Sequence, residues 1–389
     1  MESVVIVSAA RTPLGAFGGS FKSTSAVELG KNVIRKVSQG LSDKIDSVYM
    51  GCVLSAGLGQ SAARQATLSA GLDVSVRCVN INKICGSGMM AIMAARNAIL
   101  AGESEIVVAG GMESMTNAPY LLEKARFGYR FNDGKIIDHM VKDGLLDAYE
   151  QCVMGAYAEN AVDAYSFTRQ DQDIYTQLTF AKARKAIENG SFKSEIVPVS
   201  TKVKKAEKII DTDEIPFSVD LEKMPNLKPA FKENGTITAA SASSISDGAA
   251  AVLLMKESKA KELGVAPLAR IVALGSFSQA PRLFATAPIG AIKQVLEKSH
   301  WDIKDIDIFE INEAFAVVAM AVIKEFSIPA EKVNIFGGAC ALGHPLGASG
   351  ARIVVTLLNA MRLQDAKRGL ATLCVGGGEG VAMTFEKVL

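Results

Sequence analysis

The sequence predicts an α/β protein made of two similar halves, with a segment inserted into the first, and three observations carry that expectation. First, short β-branched runs at Val4–Val7, Ser47–Met50 and Glu105–Val108 alternate with helical patterns, as in a mostly parallel sheet flanked by helices. Second, the same alternation returns from Ala266, and the two ends of the chain align with each other. IDSVYMG at Ile45 resembles IDIFEIN at Ile306, SGMMAI at Ser87 resembles SGARIV at Ser349, and VVAGGMESM at Val107 resembles LCVGGGEGVAM at Leu373. Three matches in one order at nearly one offset indicate two copies of a βα unit packed about a pseudo-two-fold axis. Third, 34 glycines among 389 residues with only 6% aromatics favour close packing of helix on sheet.

The elements follow in order. A helix starts after Ser25, whose partner Glu28 completes a capping box. The strand Val76–Ile81 leads into a helix from Ser87 to about Leu100. From Asn117 to about Ser246 the pattern breaks and charge rises, with one long amphipathic helix from Arg169 to Asn189, started by Thr168 and Asp171 and stopped at Asn189-Gly190. This stretch is expected to lie over the sheet ends, where open α/β sheets bind ligands. The expected division is residues 1–116 for the first half, 117–246 for the insertion, 247–265 for the return to the first half and 266–389 for the second half.

With 49% hydrophobic and 21% charged residues and a mean hydropathy of +0.22, the chain can bury more than one core. A formal net charge of +1 gives no electrostatic case for nucleic-acid binding. Glu2 stands where a secretory leader carries basic residues, and the longest apolar stretch, Ala314 to Ile323, is short of the roughly 18 residues of a membrane span. A cytoplasmic location is therefore expected. The six cysteines (Cys52, Cys78, Cys85, Cys152, Cys340, Cys374) form no CxxC pair and read as reduced thiols, and His139, His300 and His344 are not spaced as zinc ligands, so no metal is expected. Between Lys182 and Lys208 eight Lys or Arg face three Glu, which fits either a solvated face or a docking surface for a phosphorylated ligand.

Four motifs carry chemistry. In NKICGSGMMAI, Cys85 opens a helix, where the helix dipole favours thiolate, although a small core residue would also suit the position. In GGACALGHPLGASGARI, His344 lies between Gly343 and Pro345, with room for a ligand beside the imidazole, whereas His139 and His300 read as surface or packing residues. LCVGGGEGVAM puts Cys374 at a strand end before glycines whose bare N–H groups suit an oxyanion site, and NEAFA puts Asn312 at a strand end with Phe315 a turn later.

Together these segments resemble the signature blocks of the thiolase family, specifically its acetoacetyl-CoA thiolase group, and the similarity runs from SAARTPLGAFGGS at Ser8 to the C-terminus. The resemblance implies a layered α/β/α/β/α core with an inserted loop domain, and reversible Claisen condensation of two acetyl-CoA to acetoacetyl-CoA and CoA. By resemblance, Cys85 is the acyl-accepting nucleophile, His344 takes its proton and Cys374 is the acid/base at the acetyl methyl group. His344 with a water held by Asn312 would stabilise the enolate, and the N–H groups of Cys85 and Gly376 the tetrahedral intermediate. Met154, Leu227, Phe231, Ala239, Ser243 and Phe315 match positions lining the pantetheine and acyl tunnel. The family uses no metal or redox cofactor, its partners are CoA thioesters, and its members are usually homotetramers, sometimes dimers.

The sequence departs from the biosynthetic pattern at Val153 for the usual His, at Phe284 for Met, at Pro216 or Phe217 for an Arg that contacts CoA, at Phe336 for Asn and at Glu379 for Met. These changes leave open a 3-ketoacyl-CoA thiolase of broader chain length acting mainly in the degradative direction. A decarboxylating ketosynthase would pair its cysteine with His-His or His-Asn, and a non-catalytic acyl-CoA binder would have no need of Cys85, His344 and Cys374 together.

Overall fold

The computed structural model describes residues 2–203 and 206–388. Lys204 and Lys205, two cations of the basic segment, and the terminal residues Met1 and Leu389 of the two expected halves lie outside the described residues.

Nine strands form the main sheet: β1 (Val4–Arg11), β2 (Ser47–Gly51), β3 (Arg77–Ile81), β4 (Ile106–Ser114), β5 (Ser246–Lys256), β6 (Ala269–Ser278), β7 (Ile308–Ile311), β8 (Arg368–Val375) and β9 (Glu379–Glu386). A tenth, Gly15–Ala16, adds to β5. Their order is β7-β8-β9-β6-β1-β5-β4-β2-β3. The sheet is mixed rather than mostly parallel: among the described residues only β2 with β3, β2 with β4 and β7 with β8 run parallel. Apolar runs mark strands without marking direction, and the tight turn between β8 and β9 makes that pair antiparallel.

Outward from the antiparallel contact of β1 with β6, which involves only Val5 with Arg270 and Ile6 with Ala269, the two sides repeat. One side reads β1-β5-β4-β2 and the other β6-β9-β8-β7, with the same relative directions. This is the two-half arrangement expected from the internal matches, with one change of register. β4 starts at Ile106 and β8 at Arg368, 262 residues later, so Val107 is not the counterpart of Leu373. The glycine runs misled the alignment, because Gly110 and Gly111 lie inside a strand while Gly376–Gly378 form a turn.

Helices α1 (Ala26–Val37) and α2 (Ala62–Ser69) flank the first side, and α3 (Ser87–Leu100) lies on the other face of its sheet. The Ser25–Glu28 capping box is present at α1. α4 (Met154–Tyr165) and α5 (Arg169–Glu188) belong to the chain between β4 and β5, and the Thr168–Asp171 capping box starts α5. α6 (Ala287–Ser299) covers β6 and β9, α7 (Ala316–Phe326) follows β7, and α8 (Leu346–Leu363) packs between the two sides against α3, β4, β5 and β8. The layers are therefore helix, sheet, paired helices, sheet, helix. Among the described residues no helix is long and apolar enough to cross a membrane.

The paired central helices meet backbone to backbone. A Cβ on Gly88 would lie 2.8 Å from the Ala351 nitrogen, and one on Gly350 would lie 2.5 Å from the Met89 nitrogen. Met89, Ile92, Ile353, Val354 and Leu357 fill the surrounding core, each adding about 1.5–3 kcal/mol of burial. The chain between β4 and β5 is tied to this frame by Arg11, which is fully buried at the end of β1. Its guanidinium donates to both Asp213 carboxylate oxygens at 2.7 and 2.9 Å and to Glu195 at 2.5 Å.

The helix contact supplies a first prediction. Gly350→Ala must push α3 and α8 apart, so it should cost about 1–3 kcal/mol of stability, read from urea denaturation midpoints. An unchanged midpoint would show that the contact has slack.

Candidate active site

Cys85 sits in the turn between β3 and α3, two residues before the helix, and His344 stands in the corresponding place two residues before α8. Because the two helices touch at their N-terminal ends, the two side chains reach one cavity of about 750 Å³, whose lining also includes Gly376. Cys374, near the end of β8, is buried directly behind it, in an apolar cluster with Phe284, Phe315 and Val318. A second groove of about 840 Å³, lined by Lys182, Lys185, Asp307, Glu331 and Lys367 among others, holds none of these groups.

Electrostatics of the site follow from burial, nearly complete for Cys374 and His344 and partial for Cys85. Burial pushes the Cys85 thiol up to about 11, with the nearby Glu113 carboxylate adding to the rise, against hydrogen bonds from the Gly376 and Cys85 N–H groups. The expectation of a helix-stabilised thiolate is therefore corrected: desolvation outweighs the helix start, and Cys85 rests as a thiol. Burial raises the Cys374 thiol well above its usual range as well, with Cys85 the next contributor. His344 is pushed down to about 3, first by burial and then by the Arg352 cation, so it rests neutral.

The tautomer of His344 follows from its partners. Ser349, one turn into α8, donates its hydroxyl proton to the Pro345 carbonyl at 2.8 Å, so the 2.6 Å contact between its Oγ and His344 Nδ1 takes its proton from the imidazole. Nε2 is then a bare acceptor, buried and without a partner among the described residues. Asn312 places its amide nitrogen 3.5 Å from His344 Nδ1 while its Oδ1 faces the Arg352 guanidinium at 3.5 Å. Arg352 is paired with Glu310 at 3.3 Å, both almost fully buried, and burial pushes Glu310 up and Arg352 down against their mutual attraction. Glu113, also buried, accepts from the N–H groups of Val53, Leu54 and Gly347 and so ties the start of α8 to the loop after β2.

Five of the six expected tunnel residues line the cavity: Met154, Phe231, Ala239, Ser243 and Phe315. Leu227 does not. Leu227 is 37% exposed, and its carbonyl accepts from the Arg169 guanidinium at 2.9 Å. Val153 and Phe284 are in the lining, and Phe231, Phe315 and Phe284 form two edge-on contacts, at 5.6 and 6.2 Å between ring centres. Pro216 and Phe217 lie outside it, with the Arg184 guanidinium bonded to the Pro216 carbonyl and 5.9 Å from the Phe217 ring.

Sequence reasoning missed Ser349, Arg352 and Glu113, whose roles depend on neighbours distant in the chain. It also missed the π-helical turn Val141–Leu145, which supplies Val141, Gly144 and Leu145 to the wall. His139 packs beneath that turn, with Nδ1 2.5 Å from Asp143 and Nε2 accepting from the Ala56 N–H, while His300 caps the end of α6. Among the described residues no three His, Cys, Asp or Glu side chains gather as metal ligands would.

The neutral imidazole gives a stability prediction. Between pH 6.5 and about 3 the unfolded chain binds a proton at His344 that the folded site refuses, so this contribution is full above pH 6.5 and is lost as the pH falls. From about pH 7.5 to about pH 5.5 the loss amounts to about 1 kcal/mol. Urea unfolding of His344→Asn should lack that part of the acid slope, and a slope equal to that of the native chain would refute the neutral assignment.

Comparison with known proteins agrees with this geometry. The profile for the thiolase N-terminal domain matches residues 4–258 and that for the thiolase C-terminal domain residues 265–387. Acetyl-CoA acetyltransferases from Thiocystis violacea and Cupriavidus necator are 47% and 48% identical over 392 aligned positions, covering all of both chains. Among solved structures, the acetyl-CoA acetyltransferase of Bacillus anthracis superposes with a TM-score of 0.97 at 41% identity, covering 100% of this chain and 99% of that one. A thiolase from Ascaris suum in complex with coenzyme A gives 0.95 at 42% identity, with full coverage of both. With two domain profiles spanning nearly its whole length and the two-sided core they describe, the chain belongs to the thiolase family.

Proposed function

We propose that the protein is an acyltransferase that condenses two acetyl-CoA reversibly to acetoacetyl-CoA and CoA through an acetyl-Cys85 intermediate. The observation that carries this reading is the meeting, at one cavity, of a thiol from one half of the fold with an imidazole and a glycine N–H from the other, with a second thiol buried behind. Relatives named for acetyl-CoA acetyl transfer along the full chain support it.

The resting protonation states set the order of steps. Cys85 transfers its proton to the free Nε2 of His344, and the thiolate attacks the acetyl-CoA carbonyl. The carbonyl oxygen takes up the electron pair at the N–H groups of Cys85 and Gly376 and returns it as the C–S bond to CoA breaks. Cys374, a thiol at rest, gives its proton to the departing CoA sulfur and becomes the thiolate. Burial makes that thiolate a strong base, suited to a methyl proton of the second acetyl-CoA. The enolate, stabilised near His344 and a water held by Asn312, attacks acetyl-Cys85. Cys85 departs with its electron pair and recovers the proton from His344. Every proton and electron pair is accounted for by these side chains and two thioesters, so the chemistry calls for no metal or redox cofactor.

The aromatic group of Phe231, Phe284 and Phe315 narrows the apolar end of the cavity, which favours short acyl chains over the broader 3-ketoacyl reading. Assembly as a homotetramer is supported by the exposed Tyr120, Leu122, Phe127, Phe131 and Ile136 on one stretch of the inserted segment, and sedimentation velocity tests it.

Incubation with acetyl-CoA should add one acetyl group at Cys85, and Cys85→Ala should lose both the adduct and condensation, by about a thousandfold or more. Cys374→Ala should still acetylate Cys85 but should neither exchange the methyl protons of acetyl-CoA with solvent nor condense. Exchange that survives in this variant would remove Cys374 as the base.

Specificity is tested at Phe284. Shortening it to Ala should raise thiolysis of longer 3-ketoacyl-CoA relative to acetoacetyl-CoA by about tenfold or more. A native enzyme that already prefers long chains and barely accepts acetoacetyl-CoA would favour the broader reading.

A further inference from the structure

The turn that presents Cys85 is strained. Ile84, immediately before it, has φ +45°, a left-handed backbone that a β-branched side chain adopts only when its surroundings impose it. Within the turn the imposing contacts are local. The Ile84 N–H donates to Asn82 Oδ1 at 3.0 Å, the Ser87 hydroxyl donates to the Ile84 carbonyl at 2.6 Å, and the Lys83 N–H donates to Ser87 Oγ at 2.9 Å. None of these fixes the turn relative to the other half of the protein.

The facing element is the glycine turn 376–378, in which Gly377 and Gly378 have φ +91° and +89° and carry no side chain that could anchor it. The oxyanion site of the acyl-transfer reading needs one N–H from each turn, that of Cys85 and that of Gly376, and the two turns belong to different halves of the chain. Space between them is tight: a Cβ on Gly86 would lie 2.9 Å from Val375 Cγ2. Among the described residues one ion pair joins the two turns, between the Lys83 ammonium and the Glu379 carboxylate, whose side chains are only 21% and 32% exposed. Glu379 opens β9 directly after the glycines and is registered against Val375 on one side and Ser278 on the other, so its backbone is fixed by two strands. Glu379 is also one of the positions where this sequence departs from the usual Met.

We propose that Lys83 and Glu379 form a positioning clasp that fixes the strained nucleophile turn against the glycine turn, and thereby sets the separation of the Cys85 and Gly376 N–H groups. The proposal rests on the acyl-transfer reading above. Neither Lys83 nor Glu379 is among the residues lining the cavity, and the pair acts through the two N–H groups. The donors matter most where charge develops on the carbonyl oxygen, so a loosened clasp lowers the rate of acylation and leaves the binding of acetyl-CoA alone. The clasp also makes residue 379 dependent on residue 83, because Glu379→Met, although it installs the residue usual in the family, leaves Lys83 without its partner.

The test is single-turnover acetylation of Cys85 by acetyl-CoA, followed by intact mass, in the native protein, Lys83→Met, Glu379→Met and the charge-exchanged Lys83→Glu/Glu379→Lys. Each single variant should acetylate about tenfold more slowly at saturating acetyl-CoA with a half-saturating concentration unchanged to within about twofold, and the exchanged pair should recover to within about threefold of native. Thermal melts identify any single variant that fails to fold, in which case the exchanged pair decides. Single variants that acetylate at the native rate, a loss confined to half-saturation, or an exchanged pair that folds yet stays as slow as the singles would overturn the clasp. A native protein that never acetylates at Cys85 would instead sink the acyl-transfer reading, so the two failures are distinct.

Discussion

The close approach of α3 to α8 is the constraint on which the rest of the molecule depends. Gly88 against Ala351 and Gly350 against Met89 leave no space for a Cβ, so the two helices meet at backbone distance at their N-terminal ends. The residues that precede those ends are Cys85 and His344. A pair of ordinary helices separated by side chains would hold these groups some ångströms further apart. The same contact extends to β4, where a Cβ on Gly111 would lie 1.9 Å from the Gly347 carbonyl, so nucleophile, imidazole and sheet are fixed as one body.

Burial then decides the chemistry. Both thiols are pushed up and the imidazole down, which leaves every reactive group neutral until substrate arrives. One layer back lie further buried ionisable groups: Glu113 accepts from three N–H groups, while Arg352 meets Glu310 at 3.3 Å with Glu310 Oε1 and Arg352 Nε left without a partner among the described residues. Such groups are costly to bury alone. Here they orient Asn312 and the start of α8, so that placement of the site and placement of the buried charges are one arrangement.

The chain between β4 and β5 contributes the walls rather than the chemistry. It carries Met154, Phe231, Ala239, Ser243 and the π-helical turn Val141–Leu145, and it is anchored by the buried Arg11 through Asp213 and Glu195. An anchor of this kind allows the wall to differ at a position such as Val153 without moving Cys85 or His344.

By itself the sequence determined the features that depend on local pattern. The capping boxes at Ser25 and Thr168, the strand and helix around Cys85, the repetition of one unit in two halves and the family resemblance are written in neighbouring residues. Strand direction and the register of the third internal match were not, because an apolar run is the same read in either direction and glycines recur in strands and turns alike. Leu227 matched a tunnel position by resemblance, and it is not among the residues that line the cavity; its carbonyl accepts from the Arg169 guanidinium. The helix start at Cys85 suggested a thiolate, and only the packed structure revealed that desolvation reverses the balance. The tautomer of His344, the cation behind Asn312 and the Lys83–Glu379 contact join residues far apart in the chain. Tertiary structure alone decided them, because a pKa or a proton position depends on which groups surround an atom in space, and no local pattern of residues specifies that.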